Sequence, residues 1–177
     1  MKLSDSRVIN ADTATVWVAL LAPEVLMACV PGCTEMAGSA QTGFEATVVQ
    51  KVGPVKATFK GAVEISDMVE PESLTISGSG KGGAAGFAKG GANVRLEADG
   101  KTTILHYDVE ARVGGKLAQL GSRVIEGFAK KMADQFFENF SNEFGQPDTT
   151  PEAAETEIAV ESAKNEPKKG WFKKLFS

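Results

Sequence analysis

Soft metal ligands are scarce in this 177-residue chain, which has two cysteines and one histidine. A structural zinc site needs about four such ligands and an iron–sulfur cluster about four thiolates, so neither is expected. Cys29 and Cys33 bracket a Pro-Gly turn in CVPGC and read as two small buried hydrophobes rather than a bridge. His106 falls on the polar side of an alternating segment, so no Ser-His-Asp or Cys-His arrangement can be assembled around it. No window approaches the roughly 18 apolar residues of a membrane span, and the opening MKLSDSRVIN carries no apolar stretch behind its basic residue. A cytoplasmic, unprocessed protein is expected. Basic residues are not in excess: 19 Lys and Arg stand against 23 Asp and Glu, for a formal net charge of -4. No nucleic-acid partner is expected from that balance.

Phosphate-binding signatures are missing as well. GSGKGGAAGFAKGG, residues 78–91, holds seven glycines, but Lys81 is followed by Gly82 rather than Ser or Thr, and strands are expected on both sides. The segment reads as a hairpin bending over the mouth of the fold, with Phe87 as its one large apolar side chain.

What is present is an ordinary globular composition, 42% hydrophobic and 24% charged. It changes at Gly145. Residues 146–170 contain three prolines and no aromatic residue, and are expected to form a disordered linker. Its charge runs from acidic (Asp148, Glu152, Glu155, Glu157, Glu161) to basic (Lys164, Lys168, Lys169). The domain expected to fold is residues 1–145.

Residues 3–9 read as a strand, and Asp12 or Thr13 as the cap of a helix through Val16, Trp17, Leu20 and Leu21. Pro23 opens a second short helix that Pro31-Gly32 stops. Val55, Ala57, Phe59, Gly61, Val63 and Ile65 alternate with polar or small residues, the mark of a long antiparallel strand with one wet face. Similar alternation occupies residues 44–52 and 105–113, and residues 74–77 and 92–98 add two further strands. Tyr107 faces inward. Residues 116–144, with no proline and an apolar stripe including Leu117, Leu120, Val124, Phe128, Phe136 and Phe140, predict one helix about 43 Å long. A stripe stepping mostly by four drifts around its helix, so burying it calls for a sheet that curls. The pattern predicts an α+β helix-grip: a curved antiparallel sheet of about six or seven strands around a long C-terminal helix, with two short helices after the first strand.

Four strings, APEVLMACVPGCTE (22–35), GPVKATFKG (53–61), GSGKGG (78–83) and GGKLAQLGSR (114–123), resemble the CoxG family of carbon monoxide dehydrogenase accessory proteins, a branch of the polyketide cyclase, START and pollen-allergen superfamily. The resemblance covers most of residues 1–145 and implies an apolar cavity between sheet and helix. Its walls would be Phe59, Gly61, Val63, Ile65, Leu74, Ile76, Phe87 and Tyr107 from the sheet side, with Leu117, Leu120, Val124 and Phe128 from the helix. Small inward residues such as Ala46, Ala57 and Ala111 leave volume there. The resemblance further implies a non-catalytic accessory of a molybdenum hydroxylase, above all aerobic carbon monoxide dehydrogenase. No covalent cofactor is expected; an isoprenoid quinone, menaquinone or ubiquinone, would be the hydrophobic ligand. A cyclase or aromatase of the same fold, and a ligand-free maturation factor, are the alternatives.

Independently of the family, KKGWFKKLFS at 168–177 is an amphipathic anchor in miniature. As a helix it sets Trp171, Phe172, Leu175 and Phe176 on one face, and Lys173 and Lys174 on the other, with Lys168 and Lys169 upstream. An anionic membrane surface is the partner this pattern suits, placing the protein peripherally on the inner face of the cell membrane.

Overall fold

In the computed structural model, which describes residues 1–145, strand β1 (Lys2–Ile9) leads to Asp12. The Asp12 carboxylate accepts from the Thr15 amide at 2.8 Å and caps helix α1 (Thr13–Leu20). Hydrogen bonding from the Thr15 side chain, with that amide second, holds the Asp12 carboxyl below its ordinary pKa. Helix α2 (Pro23–Cys29) begins on Pro23, whose missing N–H costs nothing in a first turn. Six strands follow: β2 (Cys33–Ser39), β3 (Gly43–Val52), β4 (Val55–Val69), β5 (Ser73–Lys81), β6 (Phe87–Asp99) and β7 (Thr102–Gly114). Two helices, α3 (Lys116–Gln119) and α4 (Ser122–Asn142), close the described chain.

All seven strands join one antiparallel sheet in the order β1-β7-β6-β5-β4-β3-β2. Chain neighbours from β2 to β7 pair in sequence, and β1 returns beside β7 with Tyr107 opposite Asp5 and Leu105 opposite Arg7. Register shifts interrupt the ladder between Cys33 and Glu35 in the edge strand β2 and between Ser66 and Val69 at one end of the β4–β5 pair, as bulges do. The α+β helix-grip is the observed architecture.

Two details differ from the sequence reading. β2 lacks an alternating pattern, so nothing local in its sequence announces a strand. The helix expected over 116–144 is two helices, because Gly121 adopts φ +89, a left-handed conformation that ends α3 and leaves α4 with 21 residues, about 32 Å. The glycine-rich segment forms the hairpin expected there. β5 and β6 run through it in register, Gly78 opposite Gly90 and Gly80 opposite Ala88, and only a short 3-10 turn at Gly83–Ala85 separates them. Glycine permits this close pairing: a Cβ at Gly91 would stand 2.5 Å from the carbonyl oxygen of Ile76 on β5.

The linker (146–170) and amphipathic tail (171–177) read from the sequence lie outside the described residues.

The apolar core falls into two clusters at opposite ends of α4. Around its C-terminal end Phe140 packs with Ile9, Val16, Trp17, Cys29, Leu96 and Leu105. Around its N-terminal end Ile125 packs with Val52 and Leu117, flanked by Val55, Phe59, Leu120 and Phe128.

Candidate functional site

Between these clusters α4 bridges open space. Ile125 and Phe140 near its ends are buried, whereas Phe128, Met132, Phe136 and Phe137, on its inward side between them, are only half-buried. Large apolar side chains on an inward stripe stay half-accessible when nothing fills the volume they face. They line a cavity of about 590 Å³, within the roughly 300–1,000 Å³ of small-molecule sites. The sheet contributes Leu3, Phe44, Ala46, Val63, Ile65, Leu74, Ile76, Ala92, Val94, Leu105, Val109, Ala111 and Val113, and the short helices contribute Leu20, Leu21 and Leu26. Every lining side chain is hydrocarbon or thioether except that of Tyr107.

One rim belongs to the turn after α2. Val30 and Pro31 line the cavity, and the turn is fastened to β3 from both sides: Gln50 donates its side-chain amide to the Pro31 carbonyl, and the Val49 amide donates to the Gly32 carbonyl at 2.9 Å. Asn139 of α4 donates to the Cys29 carbonyl at 3.0 Å, tying the helix to the end of α2. Both cysteines are free thiols. Burial, with a smaller contribution from Glu143, pushes the Cys29 thiol up to about 11, which keeps it protonated and unreactive at neutral pH.

The polar contact of the cavity wall is built on β1, β7 and α4. Arg7 shares one face of β1 with Leu3 and Ile9, so its side chain is directed toward the core side of the sheet. Its Nη2 donates to Asp134 Oδ1 at 2.5 Å, to Asp5 Oδ2 at 3.3 Å and to the Tyr107 hydroxyl oxygen at 3.3 Å. The guanidinium lies over the Phe137 ring, 5.3 Å from its centroid, and that ring stacks on Tyr107 at 5.1 Å. Burial alone would lower the Arg7 pKa, but the hydrogen bonds to Asp134 and Tyr107 more than offset it and the net direction is upward. The hydrogen bond from Arg7 draws the Asp134 carboxyl below its ordinary range, assisted by Lys130.

Of the residues expected to wall a cavity, Val63, Ile65, Leu74, Ile76, Tyr107 and Phe128 line this one. The other six do not. Phe59, Leu117 and Leu120 belong to the cluster that closes one end, because the break at Gly121 folds α3 away from the axis of α4. Gly61 stands on the inward face of β4 but presents no side chain, and its neighbours Ala46 and Val63 form the wall. Val124 is 41% exposed beside the turn between β3 and β4, its Cγ1 3.7 Å from where a Cβ on Gly53 would stand. Phe87 is 45% exposed, since the register of β6 puts it on the same face as Lys89, Asn93 and Arg95. There it borders a separate, charged depression with Lys2, Lys89, Glu110 and Arg112. The membrane-binding set, Lys168, Lys169, Trp171, Phe172, Lys173, Lys174, Leu175 and Phe176, lies outside the described residues.

Sequence reasoning missed Arg7, Asp134 and the contribution of the short helices. Alternation alone would have placed Arg7 inward beside Leu3 and Ile9. His106 is half-buried away from the cavity, its Nε2 2.9 Å from Glu97 Oε1. Among the described residues no helix is long and apolar enough to cross a membrane, and no group of His, Cys, Asp or Glu side chains could hold a metal ion.

Comparison with solved structures places the fold. A conserved protein from Geobacillus kaustophilus is 26% identical with a TM-score of 0.76, over 81% of this chain and 94% of that one. A START superfamily protein from Mycobacterium smegmatis is 12% identical with a TM-score of 0.60, over 80% and 95%. A protein from Rhodobacter sphaeroides is 16% identical with a TM-score of 0.60, over 81% and 91%. At these lower identities the likeness is one of fold alone. No curated protein matches the chain. The family model for the carbon monoxide dehydrogenase component CoxG matches residues 6–145, nearly all of the described domain, cavity walls and clamped Pro31-Gly32 turn included. On that match, the chain belongs to the carbon monoxide dehydrogenase CoxG family.

Proposed function

We propose that the protein is a non-catalytic accessory of a carbon monoxide dehydrogenase-type molybdenum hydroxylase. It holds a hydrophobic ligand, an isoprenoid quinone such as menaquinone or ubiquinone, in the cavity under α4 and links the enzyme to the membrane. The observation that carries this reading is the lining: about 590 Å³ walled by hydrocarbon and thioether groups, in a member of a family named for a component of that enzyme. Such a surface recognises an apolar molecule by removing it from water, at roughly 25 cal/mol per Å² buried.

A cyclase or aromatase would need acid and base groups facing the substrate. The lining offers no carboxylate, imidazole or amine side chain, and its one hydroxyl, on Tyr107, has no base beside it in the lining to complete an acid–base pair. The amphipathic segment at 171–177 supplies the membrane half of the reading, and a linker of about 25 residues would span about 25–30 Å, enough for the domain to visit both bilayer and enzyme. The protein would then work peripherally on the inner face of the cell membrane.

The test is to purify the full chain from its native membrane background, extract it with organic solvent and identify what is released. A stoichiometric isoprenoid quinone supports the proposal. A blank extract from folded protein overturns the quinone-carrying part and favours the ligand-free maturation factor.

A further inference from the structure

The Tyr107 side chain is 5% exposed, lines the cavity and makes a single hydrogen bond among the described residues, the one from Arg7. A guanidinium only donates, so the phenolic oxygen is the acceptor in that bond and its own hydrogen is left without one. Arg7 Nε is also buried without an acceptor. A buried donor left unpaired forfeits its hydration for nothing, and native interiors rarely leave one idle. The unmet need at this wall is for an acceptor.

Charge narrows the class of acceptor. Arg7 and Lys130 face Asp134, and Asp5 faces Arg7, so the two cations and two carboxylates of the cluster cancel. An anionic headgroup would find no net positive charge there and would lose its hydration in an apolar chamber. A neutral oxygen would lose little and gain the hydroxyl proton in a low-dielectric setting, where a hydrogen bond is stronger.

We propose that the Tyr107 hydroxyl, backed by Arg7, donates a hydrogen bond to a neutral carbonyl oxygen of the cavity's ligand and selects ketone- or quinone-type molecules over free fatty acids. This rests on the reading of the cavity as an apolar-ligand site and adds the polar end of that ligand. Tyr107 is thereby a specificity-determining residue, and Arg7 and Asp134 position it and keep its surroundings neutral.

The test uses the full chain and four probes of similar reach: the fluorescent hydrocarbon 1,6-diphenylhexatriene, displaced in turn by dodecane, 2-dodecanone and dodecanoate. In the wild type, 2-dodecanone is expected to displace the fluorophore at a concentration about fivefold below dodecane, the weight of one net hydrogen bond, and also below dodecanoate, whose charge is penalised in the apolar chamber. Tyr107→Phe should erase that advantage and leave the dodecane midpoint within about twofold, which also shows that the variant is folded. Asp134→Asn, which leaves Arg7 with less countercharge, should improve dodecanoate by several-fold. As an independent readout, the carbonyl stretch of bound 2-dodecanone should shift to lower frequency in the wild type and not in Tyr107→Phe. If the hydrocarbons bind but Tyr107→Phe leaves ketone affinity and carbonyl frequency unchanged, or if dodecanoate is preferred by the wild type, the proposal fails while the apolar cavity stands. If folded wild-type protein binds no hydrocarbon probe, the cavity reading fails and takes this one with it.

Discussion

Arg7 and Asp134 meet across the seam between β1 and α4, with the arginine side chain 23% and the aspartate side chain 48% accessible. Near the middle of α4, where the helix passes over the cavity, this ion pair couples helix to sheet. The stronger anchors lie toward its two ends, in the clusters around Ile125 and Phe140.

The pair carries a pH signature. Asp134 has its folded-state pKa depressed below the ordinary 3.8, so its contribution is fully present above that value and is lost as pH falls through the lower, folded-state value. Urea midpoints measured from pH 6 to pH 2 should therefore fall more in the wild type than in Asp134→Asn, with the two curves converging at the acid end. Parallel curves would show that Arg7 stabilises nothing through Asp134.

Phe140 is fully buried, stacked on Phe136 at 5.7 Å and edge-on to Phe144 at 5.1 Å. Phe140→Ala should destabilise the domain by about 3–5 kcal/mol in chemical denaturation. A smaller loss, below about 1.5 kcal/mol, would mean that this end of α4 collapses onto the vacancy at little cost.

Ala92 sits opposite Ile76 and Val109 on the cavity wall. Ala92→Phe should project a ring into the cavity and abolish binding of 1,6-diphenylhexatriene. Because the volume to receive the ring exists already, the stability cost should stay at or below the roughly 1–3 kcal/mol of overpacking. Undiminished probe binding by the folded variant would move the ligand site elsewhere.

The tail can be separated from the domain. Removing residues 168–177 should leave the melting temperature unchanged, since Phe140 and Phe144 already close that end of the described core, and should release the protein from anionic liposomes. Trp171→Ser with Phe172→Ser should weaken co-sedimentation at every salt concentration. Reversing Lys168, Lys169, Lys173 and Lys174 to Glu should weaken it and remove the salt dependence, each lysine being worth about 1 kcal/mol near anionic lipid. A drop of several degrees on deletion would show that the tail docks on the domain.

Alternation and capping made most of the fold legible. The run from Val55 to Ile65, the Asp12 cap and Pro23 at the start of α2 each express a local rule that the tertiary structure keeps. The cavity's sheet wall was half legible for the same reason, as Val63, Ile65, Leu74, Ile76 and Tyr107 follow from face alone. Its helix wall was displaced by one turn, because apolar spacing continues through Leu117, Leu120 and Val124 while the backbone turns at Gly121. Phe87 was misplaced because the face it occupies depends on the register of β6, and a run of glycines carries no alternation from which to read that register. Arg7 was overlooked because a charged residue in a strand suggests the wet side, whereas its partners come from α4 and β7, far away in sequence.

A domain with its core divided into two ends and a gap between them is incomplete by about the volume of its guest. An apolar guest would be the missing middle of the protein's interior, packed against Phe128, Met132 and Phe136 as a core side chain would be. By mass action its binding adds directly to folding stability, about 2.7 kcal/mol at one hundred times the dissociation constant. Melting temperature would then gauge occupancy, and a molecule without its guest would be the form more open to proteolysis.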